Sequence, residues 1–259
     1  KITDALKRIG FDYVFDTVFT ADLTIMEEGN EFIERFSKGD TKDMPMFTSC
    51  CPGWVRFIKS QYPHLVSRLS SAKSPQQMFG AVMKSYFAKE IGVKPEDMVT
   101  VSIMPCVAKK GEANMELFYE EYAGKDVDIV LTTRELNRLI KTAHIDPATL
   151  EDVPCDSPMK DGTGAGVIFG TTGGVMEAAI RTVHEIVTGK SMGRLEYEPV
   201  RGAEGIKKAT LNLNGTEVKV AVASGLKNAQ IIMEEIKSGK ADYQFVEIMA
   251  CPGGCVMGG

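Results

Sequence analysis

The chain has 259 residues, 44% of them apolar and 25% charged, and its formal net charge is −5. This composition excludes intrinsic disorder, collagen-like repeats and coiled coils, and the length suffices for one large domain or two lobes. There is no basic stripe and no apolar run of about 20 residues, so we expect no nucleic-acid partner and no membrane span. The six cysteines are too sparse for a disulfide scaffold, which leaves their spacing as the informative feature.

The two ends of the sequence suggest a piece of a longer polypeptide. The chain starts with Lys1 rather than Met, Ile2–Leu6 has a helical pattern, and the last residue is only four positions after Cys255. We therefore draw nothing from the lack of a signal peptide.

Short apolar, β-branched runs alternate with helical patterns along the chain. The predicted strands are Tyr13–Phe15, Met44–Ser49, Val99–Met104, Val127–Thr132, Val167–Phe169, Val218–Ala223 and Phe245–Met249. The predicted helices are Leu23–Phe36, Trp54–Gln61, Pro75–Lys89, Thr133–Ala143, Val175–Thr188 and Ala229–Ser238. This alternation predicts an α/β fold with mainly parallel sheets, in one open sheet or two. A lobe boundary is predicted near Tyr119–Lys125, and Asn214-Gly215 predicts a hairpin between Ala209–Leu213 and Val218–Ala223.

Cysteines follow three of the predicted strands. Met46-Phe47 leads to Cys50 and Cys51, Val101–Met104 leads to Cys106, and Phe245–Met249 leads to Cys251 and Cys255. Open α/β sheets bind ligands at the carboxyl ends of their strands. The sequence therefore predicts a site where these thiols converge.

The spacing of the cysteines favours an iron–sulfur cluster. No Cys-x-x-Cys pair is present, and the three histidines lie outside the cysteine motifs, so zinc and thioredoxin-like sites are disfavoured. Four thiolates from three loops suit a [4Fe-4S] cubane. Because neighbouring side chains point to opposite sides, only one of Cys50 and Cys51 is expected to be a ligand, and the other is left as an acid–base thiol. Cys155 is interpreted as a small buried residue outside the site.

Three other features have structural interpretations. Gly170–Gly174 lacks the dinucleotide-binding pattern, so we interpret it as a tight strand-to-helix turn, although such a turn could cradle an anion. Trp54 is interpreted as a packing anchor for its loop. Most of the 14 methionines are interpreted as core filler.

Three motifs in this order resemble the signatures of the [FeFe]-hydrogenases. They are Thr48–Trp54 (TSCCPGW), Met104–Glu112 (MPCVAKKGE) and Phe245–Gly259 (FVEIMACPGGCVMGG). Stretches around Ala21–Glu28, Ser70–Gln76 and Phe169–Ala178 are also similar, so the resemblance covers nearly the whole chain.

The resemblance implies an H-cluster, a [4Fe-4S] cubane bridged by a cysteine to a diiron unit with CO, cyanide and azadithiolate ligands. It implies that Cys51, Cys106, Cys251 and Cys255 hold the cubane, that Cys255 forms the bridge, and that Cys50 relays protons. Lys109 would bind a cyanide and Met104 and Met249 would pack against the diiron unit, with Phe169, Gln76 and Pro105 nearby.

A proton route is also implied. Glu28, Glu31 and Arg35 share one helix face, which from pattern alone is typical of a solvated salt-bridge face. The resemblance instead implies that these residues and Ser70 connect Cys50 to solvent.

As a whole, the resemblance implies one catalytic domain over 1–259, with approximate lobes 1–122 and 123–259, each with a mainly parallel sheet, the H-cluster in the cleft, and a first strand missing before Lys1. The expected activity is the reversible reduction of protons to H2. The expected partners are ferredoxin or another redox protein or subunit, and maturation factors for the diiron unit. An anaerobic cytoplasm is the expected compartment.

Two alternatives remain from the same resemblance. One is a cytosolic iron–sulfur assembly factor without a diiron site, although such factors typically lack the thiol that matches Cys50. The other is an H2-sensing domain, although sensors usually lose that thiol or the glutamate relay.

Overall fold

The structure is a computed structural model that describes residues 1–39, 44–159, 162–193, 195–200 and 204–258. Gly259, the last residue of the third motif, lies outside the described residues. In chain order the helices are α1 (Ile2–Ile9), α2 (Val18–Ser37), α3 (Pro52–Gln61), α4 (Pro75–Val82), α5 (Ala88–Ile91), α6 (Ala108–Glu112), α7 (Thr133–Thr142), α8 (Gly164–Ile168), α9 (Gly174–Thr188) and α10 (Leu226–Lys237). The strands are β1 (Met46–Phe47), β2 (Val101–Met104), β3 (Tyr119–Glu120), β4 (Gly124–Lys125), β5 (Ile129–Thr132), β6 (Glu198–Pro199), β7 (Ile206–Leu213), β8 (Thr216–Ser224) and β9 (Phe245–Met249).

The chain divides into two compact units, each built from separate stretches of sequence. Unit 1 contains residues 1–20 and 75–163, and unit 2 contains residues 21–74 and 164–258. The predicted lobes, 1–122 and 123–259, are continuous stretches instead. The difference arises because Met46 and Phe47 pair with Phe245 and Val246, which joins an early segment to a late one.

The core of unit 2 is a five-stranded mixed sheet in the order β1-β9-β8-β7-β6. Strands β1, β9 and β8 run parallel, whereas β7 and β6 are antiparallel to their neighbours. The predicted hairpin joins β7 to β8, with Asn214 at φ 50° and Gly215 at φ 90°, the positive angles that a two-residue turn requires. The predicted strand Phe245–Met249 is confirmed at both ends, and every residue in it is buried.

Helices cover both faces of this sheet. On one face, Trp54 from α3 and Ile232 from α10 pack in a cluster with Val246 and Ile248. On the other face, side chains from α2 and α9 pack with Phe245 and its neighbours in β8. Because successive strand residues point to opposite faces, Glu247 and Met249 of β9 share the face of Phe245.

Unit 1 contains a two-stranded parallel sheet, in which β2 pairs with β5 from Val101↔Ile129 to Met104↔Thr132. Helix α7 begins directly after β5 with a capping box between Thr132 and Glu135. A π-helical segment, 83–87, joins α4 to α5. None of the helices among the described residues has both the length and the apolar character needed to cross a bilayer.

Three predicted features differ in the structure. Val167–Phe169, predicted as a strand, is wrong because residues 164–168 form α8, where Val167 is 67% exposed and pairs with no strand. At 13–15 only Phe15 makes an isolated bridge, to Asp156. The stretch Tyr119–Lys125 folds as the small antiparallel ladder β3–β4 within unit 1.

Candidate functional site

The adjacent cysteines occupy the connection between β1 and α3, and their side chains have different surroundings. Cys51 is buried in the cluster that contains Trp54, on the α3 face of the sheet. Cys50 is buried in another cluster, with Phe169 and Met249. The extended backbone of this segment therefore sends the two thiols to opposite sides, as the sequence predicts.

The segment that follows is held by Trp54 and Ala250. The fully buried Trp54 donates its indole N–H to the Thr48 carbonyl at 3.1 Å, which confirms its interpretation as a packing anchor. The Ala250 amide lies 3.4 Å from the Cys51 sulfur. A Cβ on Gly53 would stand 2.8 Å from the Ala250 Cβ, so glycine is needed where these segments approach each other.

The loop after β9 presents Cys251 and Cys255, whose side chains are both partly buried. Gly253 and Gly254 adopt φ values of 85° and 91°, which favour glycine. The Ser224 hydroxyl accepts from the Gly253 amide at 2.7 Å and donates to the Cys251 carbonyl at 3.2 Å. Ser224, the last residue of β8, therefore holds the loop backbone through these two hydrogen bonds.

The turn before α9 supports the same loop from the other side. Gly254 forms a bridge with Thr171, and the Val256 amide donates to the Gly170 carbonyl at 3.2 Å. A Cβ on Gly254 would lie 2.7 Å from that carbonyl oxygen. Close backbone contact therefore explains the second glycine of the motif.

Glu28 is a carboxyl group in the core of unit 2. It lies on the buried face of α2 with Ile25 and Phe32, and its side chain is 0% exposed. Neither carboxyl oxygen has a hydrogen-bond partner of good geometry among the described residues. Burial raises the pKa of Glu28 to about 8, although the nearby Ser70 hydroxyl lowers it in part. The interpretation that Glu28 belongs to a solvated salt-bridge face of the helix is therefore wrong.

Glu31, Ser70 and Arg35 form a connected group. The Glu31 carboxylate accepts from the Ser70 hydroxyl at 2.9 Å and pairs with Arg35 one helical turn later. The Arg35 guanidinium also donates to the Leu69 carbonyl at 2.9 Å. The side chains of Glu31 and Arg35 are 16% and 19% exposed, so this group lies nearer to solvent than Glu28.

In unit 1, strand β2 ends at Met104 and leads through Pro105 to the partly buried Cys106. Helix α6 begins two residues after Cys106. The predicted position of Cys106 after the carboxyl end of a parallel strand is confirmed, whereas the short helix that follows it was not predicted.

Lys109 and Gln76 belong to one buried polar network in unit 1. The Lys109 ammonium lies 2.9 Å from a Glu112 carboxylate oxygen, and both side chains are at most 10% exposed. The Gln76 amide donates to the Lys109 carbonyl and to Glu112, each at 3.2 Å, and accepts from the Ser102 hydroxyl at 2.8 Å. The network fixes the orientation of the Lys109 side chain.

Cys155 lies outside these groups. It is exposed, with its sulfur 3.4 Å from the Thr3 hydroxyl, so the interpretation as a buried residue is wrong. The reason is its position in a connection in which residues 151–155 are all exposed.

The donor set fits an iron–sulfur cluster better than a single metal ion. Among the described residues, no three His, Cys, Asp or Glu side chains are close enough to hold one ion. A cubane does not need such a group, because each of its four irons takes one thiolate. The cysteine thiols, the glycines and the Ala250 amide at the Cys51 sulfur are features that such a cluster uses.

Comparison with known proteins agrees with this chemistry. The family described as "Iron only hydrogenase large subunit, C-terminal domain" matches residues 1–259. The periplasmic [Fe] hydrogenase large subunit of Nitratidesulfovibrio vulgaris and the NADP-reducing hydrogenase subunit HndD of Solidesulfovibrio fructosivorans are each 49% identical over the whole chain. A variant of the [FeFe]-hydrogenase HydA1 from Chlamydomonas reinhardtii has a TM-score of 0.87 and 44% identity, covering 98% of this chain and 71% of that one.

The chain belongs to the iron-only hydrogenase large-subunit family, within its C-terminal domain. It spans 61% and 45% of the two bacterial relatives. The same domain is also similar, at 35% identity, to the cytosolic Fe-S cluster assembly factor narfl of Xenopus tropicalis, of which it covers 56%.

Sequence reasoning missed three residues that organise these segments: Glu112, Ser224 and Glu247. Glu112 could have been found from its i, i+3 spacing to Lys109 on a short helix. Glu247 is a lone carboxylate within an apolar strand, which is itself a signal of a buried partner. Ser224 has no such signal, because its role depends on the loop that folds over it.

Proposed function

We propose that the chain is the catalytic domain of an [FeFe]-hydrogenase, an oxidoreductase that reversibly converts protons and electrons to H2. The observation that carries this proposal is the separation of Cys50 from Cys51. One thiol lies with Ala250 beside the β9 loop, and the other lies in an apolar cluster with Phe169 and Met249. A cluster ligand must lie beside the loop that carries the other ligands, as Cys51 does, and a proton carrier must lie apart from it, as Cys50 does.

In this proposal the cubane would be held by four cysteines: Cys51, Cys106, Cys251 and Cys255. When bound, the H-cluster supplies the iron site for heterolysis of H2 and the route for the electrons. The same proposal assigns the surroundings of the diiron unit to six further residues: Lys109, Met104, Gln76, Pro105, Met249 and Phe169.

The proton is carried, in this proposal, by the chain's own side chains. The Cys50 thiol is buried among apolar residues that exclude bulk water. Because the pKa of Glu28 is raised to about 8, most of this carboxyl carries a proton at pH 7 and can both donate and accept one. The Ser70 hydroxyl donates a hydrogen bond to Glu31, and the Glu31–Arg35 ion pair forms the solvent end of the proposed proton route.

Infrared spectroscopy tests the proposed cofactor. After maturation of the full-length protein with hydrogenase assembly factors, we expect the bands of iron-bound CO and cyanide. Their absence, with the cubane present, would contradict a hydrogenase and support the alternative of an assembly-type protein without a diiron unit, a class also found among the relatives at 33–35% identity.

Replacing Cys50 with Ala tests the proton role. We expect turnover to fall by at least about 100-fold, because general acid–base groups contribute on the order of 10²–10⁴ in rate. Iron content and the infrared bands should stay at the level of the unmodified protein. Turnover at the normal rate would show that Cys50 is not the proton carrier.

Electron partner and compartment are the broader parts of the proposal. We propose ferredoxin or another redox protein as the partner, and a reducing compartment such as an anaerobic cytoplasm, where cysteines do not form disulfides. One relative, from Nitratidesulfovibrio vulgaris, is named as a periplasmic enzyme.

A further inference from the structure

Glu247 is a fully buried carboxylate in the middle of β9. It accepts hydrogen bonds from the backbone amides of Gly173 at 2.8 Å and Met176 at 2.7 Å. These amides belong to the N-terminal end of α9, where backbone N–H groups lack partners within the helix and the helix dipole favours a negative charge. Two such bonds tie the start of α9 to β9.

The turn at 170–174 is held by two further side chains. The Tyr197 hydroxyl donates to the Gly173 carbonyl at 2.9 Å. The Lys207 ammonium lies 3.5 Å from the Thr172 carbonyl oxygen and 5.5 Å from the centre of the Tyr197 ring. The anion bound at this glycine-rich turn is therefore the carboxylate of Glu247.

The 170–174 turn also contacts the loop that contains Cys251 and Cys255. Thr171 bridges to Gly254, and the Gly170 carbonyl accepts from the Val256 amide. The Thr172 hydroxyl lies 3.4 Å from that of Ser224, which supports Gly253. A displacement of the turn would therefore move the backbone on both sides of Cys255.

We propose that Glu247 is a positioning residue for the Cys251–Cys255 loop, acting through the 170–174 turn. Its carboxylate fixes the turn, and the turn fixes the loop that presents the two thiols. This inference rests on the proposed function only in treating those thiols as cluster ligands. If Glu247 only capped the helix, the effect of replacing it would be confined to the first turn of α9.

Hydrogen–deuterium exchange distinguishes these two roles. The sample is the full-length protein, purified anaerobically without its diiron unit, and the variant is Glu247→Gln. We expect amides of both 170–176 and 251–257 to exchange about tenfold faster, as the loss of a charge-assisted hydrogen bond predicts. After reconstitution with iron and sulfide, the electron paramagnetic resonance signal of the reduced cubane should also shift or weaken.

Glu235→Gln is the matched control. Glu235 is a partly buried carboxylate of α10 that pairs with Lys208 at 2.9 Å and accepts from Tyr243 at 2.7 Å. This variant should leave exchange in both segments and the cubane signal unchanged.

Faster exchange at 170–176 alone, with 251–257 and the cubane signal unchanged, would overturn the proposal. If Glu247→Gln does not fold, Glu247→Asp takes its place, since its shorter carboxylate keeps the charge but reaches fewer amides. That variant should give a smaller acceleration in the same two segments, and no acceleration at 251–257 would count against the proposal. Because these measurements need no diiron unit, they stand apart from the infrared test of the hydrogenase assignment.

Discussion

At the scale of single residues, the unusual groups of this protein are two buried carboxyl groups that differ in the number of hydrogen bonds they accept. Glu247 accepts two backbone amides, and burial still raises its pKa to about 7. Glu28 has no well-formed hydrogen bond among the described residues, and its pKa is raised further, to about 8. An uncharged carboxyl group costs less in an apolar core than an ionised one, so Glu28 favours protonation at pH 7, whereas the two amides that donate to Glu247 offset part of the burial cost of its charge.

Glu28→Gln should remove a penalty that grows with pH. The folded-state pKa of about 8 exceeds the ordinary value of 4.5, so between these values Glu28 is ionised in the unfolded chain but protonated in the folded protein, and the folded protein loses stability as pH rises. The cost is about 1.4 kcal/mol for each pH unit in this window. We therefore expect Glu28→Gln to gain stability relative to the unmodified protein from pH 5 to pH 8.

Urea unfolding at several pH values checks this prediction. Glu247 is present in both proteins, so it enters the difference only through its charge repulsion with Glu28, which raises the pKa of Glu28. A stability difference that stays constant from pH 5 to pH 8 would show that Glu28 titrates normally.

At the scale of elements, the decisive segment is the loop after β9. Gly254 adopts φ 91° and leaves no room for a Cβ, which would lie 2.7 Å from the Gly170 carbonyl oxygen. Gly215 in the β7–β8 hairpin has nearly the same φ, 90°, but no atom within 4 Å of the corresponding position. The two glycines thus separate the cost of backbone conformation from the cost of close packing.

Gly254→Ala should displace the loop, whereas Gly215→Ala should not. Both variants incur conformational strain of about 1–3 kcal/mol, because both glycines have a positive φ. Only Gly254→Ala also clashes with the 170–172 backbone, so we expect it to lose most of the iron and sulfide bound on anaerobic reconstitution. Equal iron content in the two variants would mean that the loop tolerates the shift.

At the scale of the whole molecule, the sheet of unit 2 derives its stability from helices on both faces. Ile232 of α10 is 0% exposed in the same cluster as Trp54, whereas its neighbour Ile231 is 39% exposed. Trp54 is the single tryptophan of the sequence, so its fluorescence reports on this cluster.

Ile232→Ala should lower the free energy of unfolding by about 3 kcal/mol, as large-to-small changes in a packed core do. Ile231→Ala, at the exposed position next to it, should cost well under half of that. Denaturant unfolding followed by Trp54 fluorescence measures both. Similar losses for the two variants would contradict the packing of α10 against the sheet.

Most elements of this protein could be predicted from the sequence, because their signals are local. The β-branched run Phe245–Met249, the Asn214-Gly215 turn and the Pro52 start of α3 are each determined by neighbouring residues. The run 167–169 misled because short apolar stretches fit a strand or a helix equally well, and the surrounding glycines and the exposure of Val167 decide between them.

The cysteine motifs, their strand-end positions and the opposite directions of the Cys50 and Cys51 side chains were determined by the sequence itself, since they depend on order and on the alternation of side chains along an extended backbone. Only the tertiary structure decided which carboxyl groups are buried, that Glu247 binds the start of α9, and that the two compact units are each built from separated stretches. These features depend on contacts between residues far apart in the chain, whose free energies no local pattern records.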